Sequence, residues 1–173
     1  MAKQLRDKVI TFTVYANGDE EYGIAELSLP DLEFITNTIK GGGLAGELEV
    51  PTLGQLKAMK ATITWQIVEK SLSKMARQRY QQVEFRGAQQ TENTETGDLE
   101  VAAVSIQLGG WVTKTALGKL ANTETTGSTT ELSVNSLKAV VDGYEMYNID
   151  VMNGVCIIDG VDYWADIRKA LGK

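Results

Sequence analysis

The stretch Leu99–Thr115, LEVAAVSIQLGGWVTKT, decides the fold. Ala102, Val104, Ile106, Leu108 and Val112 share the even phase, the period of two of a strand with one buried face. Its early end carries Leu99 and Val101 on the opposite face. Lys57–Lys70 and Thr129–Asn148 have the same β-branched, alternating character. A strand of ~14 residues at about 3.3 Å each runs roughly 45 Å, whereas globular strands usually stop near ~5–6 residues. A chain of 173 residues covers only part of such strands with its own core. The remainder stays wet or is covered by other copies, which points to a subunit of an assembly. Within Thr129–Asn148, Leu132 and Val134 hold one phase, and Leu137, Ala139 and Val141 the other. For this strand and for Leu99–Thr115 alike, either a bulge re-aims the strand, or the strand faces two different cores along its length.

Around these strands the chain reads as mainly β. Lys8–Ala16 alternates, Asn17-Gly18 is a hairpin signal, and Tyr22–Leu29 returns until Pro30. Asp31–Ile39 is extended. Gly41–Gly46 holds no regular element, and Pro51 and Gly54 are breakers, so residues 40–56 read as a long exposed loop. Loops of that length are uncommon unless they bind something. Ala61, Ile63, Trp65 and Ile67 alternate with Thr62, Thr64 and Gln66. A helix is expected from Ser71 through Gln82, with Leu72, Met75, Ala76 and Tyr80 on one face. Val83–Gln90 and Ile149–Ile158 are further strands, and Val161–Leu171 closes as an amphipathic helix stopped by Gly172. The whole of 1–173 reads as a single domain.

Composition removes whole classes of function. Hydrophobic content of 43% is ordinary for a folded core. The net charge of −6 without a basic run disfavours gripping nucleic acid, since phosphate binding wants clustered Lys and Arg. The start MAKQLRDKVITF has no apolar h-region and no run suits a bilayer span, so assembly in a cytoplasm is expected, with no membrane partner. Histidine is absent, which removes Ser-His, Cys-His and His-metal arrangements together. Cys156, in an apolar run, reads as a buried small residue rather than a reactive thiol.

No motif carries cofactor chemistry. Gly41–Gly46 formally matches G-x-G-x-x-G, but no helix pattern follows to meet a pyrophosphate. Glu92, Glu95, Asp98 and Glu100 match no calcium-loop spacing and read as a solvated acidic loop. No catalytic, metal or cofactor-binding residue is assigned. Trp65 and Trp164 lie in apolar stripes and read as core, whereas Trp111 falls on the polar face of its strand and suits an interface. The polar faces are the more telling feature. Thr62, Thr64, Gln66, Ser105, Gln107, Ser133 and Asn135 are small and uncharged where a free solvent face collects Lys and Glu. An ordinary sheet face and a surface inside a wet channel both fit.

Four segments resemble the major tail tube proteins of contractile-tailed bacteriophages and the tube proteins of R-type bacteriocins. VITFTVYANGDEEYGIAELSLPDLE resembles that family's opening hairpin and Leu-Pro segment. KGGGLAGELEVPTLGQLKAMKATITWQI resembles its glycine-rich loop and Trp-containing strand, and VEFRGAQQTENTETGDLEVAAVSIQLGG its acidic turn and long return strand. YNIDVMNGVCIIDGVDYWADIRKALG resembles its closing strand, turn and terminal helix. Together they cover nearly the whole chain in order; the departure is a low Lys/Arg content near the end. The resemblance implies a β-sandwich or barrel-like domain with a flanking helix, whose long strands join an inner β-barrel in a hexameric ring. It implies rings stacked into a virion tail tube for DNA ejection, with genomic DNA passing through the lumen without sequence-specific binding. The implied partners are the chain itself, the tail sheath protein, the tape-measure protein and the baseplate or initiator proteins.

On that footing Gly41, Gly42, Gly43, Leu44, Gly46, Leu48, Val50 and Trp111 are expected at inter-subunit contacts, and the seven small polar residues in the lumen with acidic groups near them. The tube of a DNA-free bacteriocin (tailocin) fits the same residues. Two rivals of other classes stand beside it. One is a monomeric ligand-binding β-sandwich with Trp111 in its cleft. The other is an enzyme using a carboxylate pair drawn from Asp142, Glu145 and Asp150.

Overall fold

The computed structural model describes residues 4–18, 20–22, 25–43 and 45–172. In chain order the strands are β1 (Gln4–Ala16), β2 (Glu20–Tyr22), β3 (Ala25–Ser28), β4 (Phe34–Ile39), β5 (Leu48–Leu56) and β6 (Met59–Trp65). After helix α1 (Lys70–Met75) come β7 (Tyr80–Asn93), β8 (Leu99–Ala116), β9 (Ser128–Val141), β10 (Tyr144–Asp150), β11 (Val155–Ile158) and β12 (Val161–Asp162), then helix α2 (Ala165–Ala170). The fold is mainly β, antiparallel, with two short helices among the described residues and no closed barrel within one chain.

Eight strands of the main sheet run in the order β12-β11-β10-β9-β8-β7-β1-β2. β9 is where this sheet forks. One edge pairs with β8 throughout. On the other edge Ser136–Asp150 contacts join its second half to β10, while Ser128–Val134 pairs with β6, which in turn carries β3. The fork sits at Asn135, a bulge left between Ser136↔Gly109 and Val134↔Gly110. That extra residue settles the change of phase. Leu132 and Val134 before it, and Leu137, Ala139 and Val141 after it, are all buried on one face. Within β9 a second core is not needed to explain the change of phase.

The core lies inside the fork. Val14, Met59, Ile63, Trp65, Val83, Phe85, Leu108, Leu132, Val134, Leu137 and Ile149 meet there, and α1 adds Leu72 and Met75. Trp65 Nε1 donates to Thr130 Oγ1 at 3.0 Å, so its polar edge is satisfied in the interior. β8 is 18 residues long and keeps its even phase inward from Ala102 to Val112, as expected; a register shift between Val112 and Lys114 then turns Lys114 to the other face. Its Leu99 and Val101 are 66% and 67% exposed, beyond what one chain covers.

Several expected boundaries are corrected. Thr129–Asn148 is two strands, because Asp142 (φ 53°) and Gly143 (φ 77°) form a two-residue turn with both φ positive, the geometry that matches strand twist. Lys57–Lys70 contains only the seven-residue β6. The chain bends at Gln66, whose carbonyl takes the amide of Thr126, and α1 begins at Lys70. The helix expected through Gln82 ends at Met75, because Tyr80 and Gln82 join the β7–β8 ladder and Tyr80 packs edge-on against Trp111, ring centres 5.4 Å apart. Ile149–Ile158 breaks at a turn capped by Asp150, whose Oδ1 accepts the amides of Met152 and Asn153. Val161–Leu171 opens as β12, because Asp162 Oδ1 accepts the Trp164 amide and turns the chain before α2. Residues 40–56 are only partly loop. β5 pairs with β4 as a separate hairpin, and Pro51 is tolerated because β5 is an edge strand.

Candidate functional site

Two surfaces stand out. The first is the outer face of the forked sheet. Register places Lys60, Thr62 and Thr64 of β6 beside Ser133, Glu131 and Thr129 of β9. Across β9, Ser133 faces Trp111 and Glu131 faces Lys114 on β8. Toward the other end, Tyr15, Glu84, Gln107, Lys138 and Asn148 form one row across five strands, and Arg86, Ser105 and Val140 form the next. Thr62, Thr64, Ser105, Gln107 and Ser133 therefore share a face. Trp111 lies among them, half-exposed, and not with the glycine-rich segment. Gln66 lies in the bend after β6, and Asn135 is the bulge itself, its Oδ1 buried without a hydrogen-bond partner among the described residues.

The face carries charges that small-residue pattern alone did not reveal. Arg86 meets Glu84 at 2.8 Å and stacks on the Tyr15 ring at 4.5 Å. Lys114 meets Glu131 at 2.9 Å, and Lys138 meets Glu145 at 3.0 Å. The Arg86 guanidinium, helped by Ser105 and Gln107, holds the Glu84 carboxyl below the usual carboxylate range against its partial burial. Lys138 and then Asn148 do the same for Glu145. The signal was present in the alternation Glu84-Phe85-Arg86, which puts opposite charges on one face of a strand.

The second surface is the β4–β5 arm. Ile39 faces Leu48 and Asn37 faces Val50, while Thr38 faces Glu49 and Thr36 faces Pro51. One side is thus apolar, and Ile35, Ile39, Leu48 and Val50 are exposed on it. A lone two-stranded hairpin is marginal in water, so this arm leans on its base. Leu32 and Leu56 pack against the core, and Trp164 Nε1 donates to the Gly54 carbonyl at 2.7 Å. Lys57 pairs with Glu33 beside it. Gly41, Gly42, Gly43 and Gly46 lie in the connection between β4 and β5, and a strand follows them, so the dinucleotide fingerprint is absent. Leu44 lies outside the described residues.

A third feature was missed from the sequence. Val9, Phe12, Leu27, Leu29, Phe85 and Ile106 line an apolar groove of about 250 Å3. Its residues come from β1, β7, β8 and the end of β3, a convergence that no local pattern in the sequence encodes.

The enzyme candidates do not converge on a task. Asp142 occupies the β9–β10 turn, Asp150 caps the next turn, and Glu145 is held by Lys138. No cluster of three or more metal-ligating side chains occurs among the described residues, the acidic loop at Glu92–Glu100 included. Burial, then the charge of Asp162, pushes the Cys156 thiol up, away from the reactive thiolate. No helix among the described residues is long and apolar enough to cross a membrane.

No curated protein matches the chain. A family model described as phage tail tube protein FII matches residues 6–172 of the 173. With overlong strands, an exposed arm and a one-sided polar sheet already implying a structural subunit, this near-complete match means that the chain belongs to the phage tail tube family, a structural component of the virion that assembles into a tube.

Proposed function

We propose that the chain builds the tube of a contractile tail as hexameric rings, stacked into a hollow conduit through which DNA is ejected. The observation that carries this is the division of surfaces: one broad polar sheet face, and an arm whose apolar side has no cover of its own. In a ring the polar face of each copy lines the lumen, with Thr62, Thr64, Ser105, Gln107 and Ser133 toward the passage and Gln66 and Asn135 at its margins. Small uncharged groups offer a sliding polyanion neither apolar friction nor cationic grip. The arm, Gly41–Gly46 and Leu48 and Val50 included, seats against a neighbouring subunit, which supplies the cover a lone hairpin lacks. Trp111 lies where adjoining copies meet. The long strands then continue from copy to copy into an inner barrel, which removes sheet edges. The outer surface meets the sheath, the lumen the tape-measure protein and DNA, and the tube end the baseplate or initiator proteins, with assembly in the host cytoplasm.

Deleting Gly41–Gly46 tests the arm: a folded chain that no longer polymerises is expected, and normal tubes from the deletion would refute the assignment. Thr64→Cys tests the lumen. In assembled tubes a small thiol reagent should reach it while a bulky one, excluded from the channel, should not; equal labelling by both would refute it.

A further inference from the structure

The cations of the polar face are placed in an ordered way. Register puts Lys60, Arg86, Lys114 and Lys138 there, against the carboxylates Glu26, Glu84, Glu131 and Glu145. Three of the four cations sit within 3.0 Å of a carboxylate oxygen: Arg86 on Glu84, Lys114 on Glu131, Lys138 on Glu145. Lys114–Glu131 bridges directly opposed residues of β8 and β9, and Lys138–Glu145 bridges β9 and β10. Arg86–Glu84 is within β7, and the Tyr15 ring covers a face of the guanidinium. Burial of the opposite face puts the charges of these strands on this one, and exposed pairs of this kind contribute only ~0–1 kcal/mol to stability. What they do change is the field above the sheet. A cation that already holds a carboxylate releases no counterion when a phosphate passes, so it adds little to polyanion affinity.

We propose that Glu84, Glu131 and Glu145 mask the cations of this face, so that a polyanion passing over it is not retained. The inference rests on the lumen reading for its biological meaning, but the masking is a property of the face itself. The partner chemistry is a phosphate backbone, and the three glutamates set the absence of grip.

The test is binding of a short duplex DNA to the unassembled 173-residue chain carrying Glu84→Gln, Glu131→Gln and Glu145→Gln. At a slope near −0.9 per phosphate contact, three freed cations predict binding that falls about 40-fold between 50 and 200 mM salt; the unaltered chain should show no retention. A chain with Glu95→Gln, Asp98→Asn and Asp166→Asn changes net charge equally, in a turn and a helix away from the face, and should show no gain. Adding Lys114→Gln and Lys138→Gln to the triple variant should abolish most of the binding. A folded triple variant that binds no better than this control overturns the proposal. If the triple variant does not fold, Glu131→Gln and Glu145→Gln singly should each give a slope near −0.9, and no slope in either overturns it. Tubes of the variant separate the two readings. Retention of linear but not closed circular DNA agrees with a lumen, whereas retention of both places the face outside while the masking stands.

Discussion

Gly54→Ala tests how the arm is held. Gly54 has φ +65°, and a Cβ built there lies 2.6 Å from Trp164 Cδ1. The left-handed backbone costs a non-glycine residue roughly 1–2 kcal/mol. The collision forces Trp164 away, which removes its hydrogen bond to the Gly54 carbonyl, worth about 1 kcal/mol net. Together these loosen the arm's base by about 2 kcal/mol or more, and 1.4 kcal/mol is a factor of ten in an equilibrium. Amide exchange across β4 and β5, measured by mass spectrometry in the native chain, should therefore accelerate about 30-fold, while β8 and β9 exchange as before. Gly46→Ala is the control: a Cβ there meets nothing within 4 Å, and exchange should not change. Tube formation by Gly54→Ala should need a higher protein concentration than tube formation by the unaltered chain. Equal exchange in the two variants would refute the clamp by Trp164.

Leu132→Ala removes a side chain with no exposure at the root of the fork, and urea unfolding should report a loss of about 2–5 kcal/mol. Native protein should react slowly with thiol reagents at Cys156 at neutral pH and rapidly once unfolded, since burial disfavours its thiolate. The carboxyls of Glu84 and Glu145 are held below their usual range. Their contribution to stability is therefore present above the unfolded value of about 4.5 and lost as pH falls through the lower folded values. Acid unfolding of Glu84→Gln should accordingly depend less on pH below that value than acid unfolding of the unaltered chain.

How much of this was legible depended on the range of the interactions involved. β8 was readable because one buried face imposes a period of two from Ala102 to Val112. The bulge at Asn135 showed only as a phase change, and sequence alone could not tell an inserted residue from a second core. Asp142-Gly143 was a readable turn signal that the continuous β-branched character of Thr129–Asn148 obscured. Tyr80 has helical spacing to Met75, yet its cross-strand contact with Trp111 wins, and that contact joins residues distant in sequence. Pro51 and Gly54 read as breakers, but an edge strand tolerates the first and Trp164 gives the second its place. The small polar residues identified the outer face; the ion pairs on it depend on registers between β7, β8, β9 and β10 that no local pattern encodes.

Electron cryomicroscopy of the purified 173-residue chain, concentrated until it assembles, tests the central claim most directly. Hollow tubes of stacked sixfold rings are predicted, with Thr64, Gln107 and Ser133 toward the channel and the β4–β5 arm seated on a neighbouring copy. A chain that stays monomeric across concentrations even with its tail partners, or a tube whose polar sheet face points outward, would contradict the account.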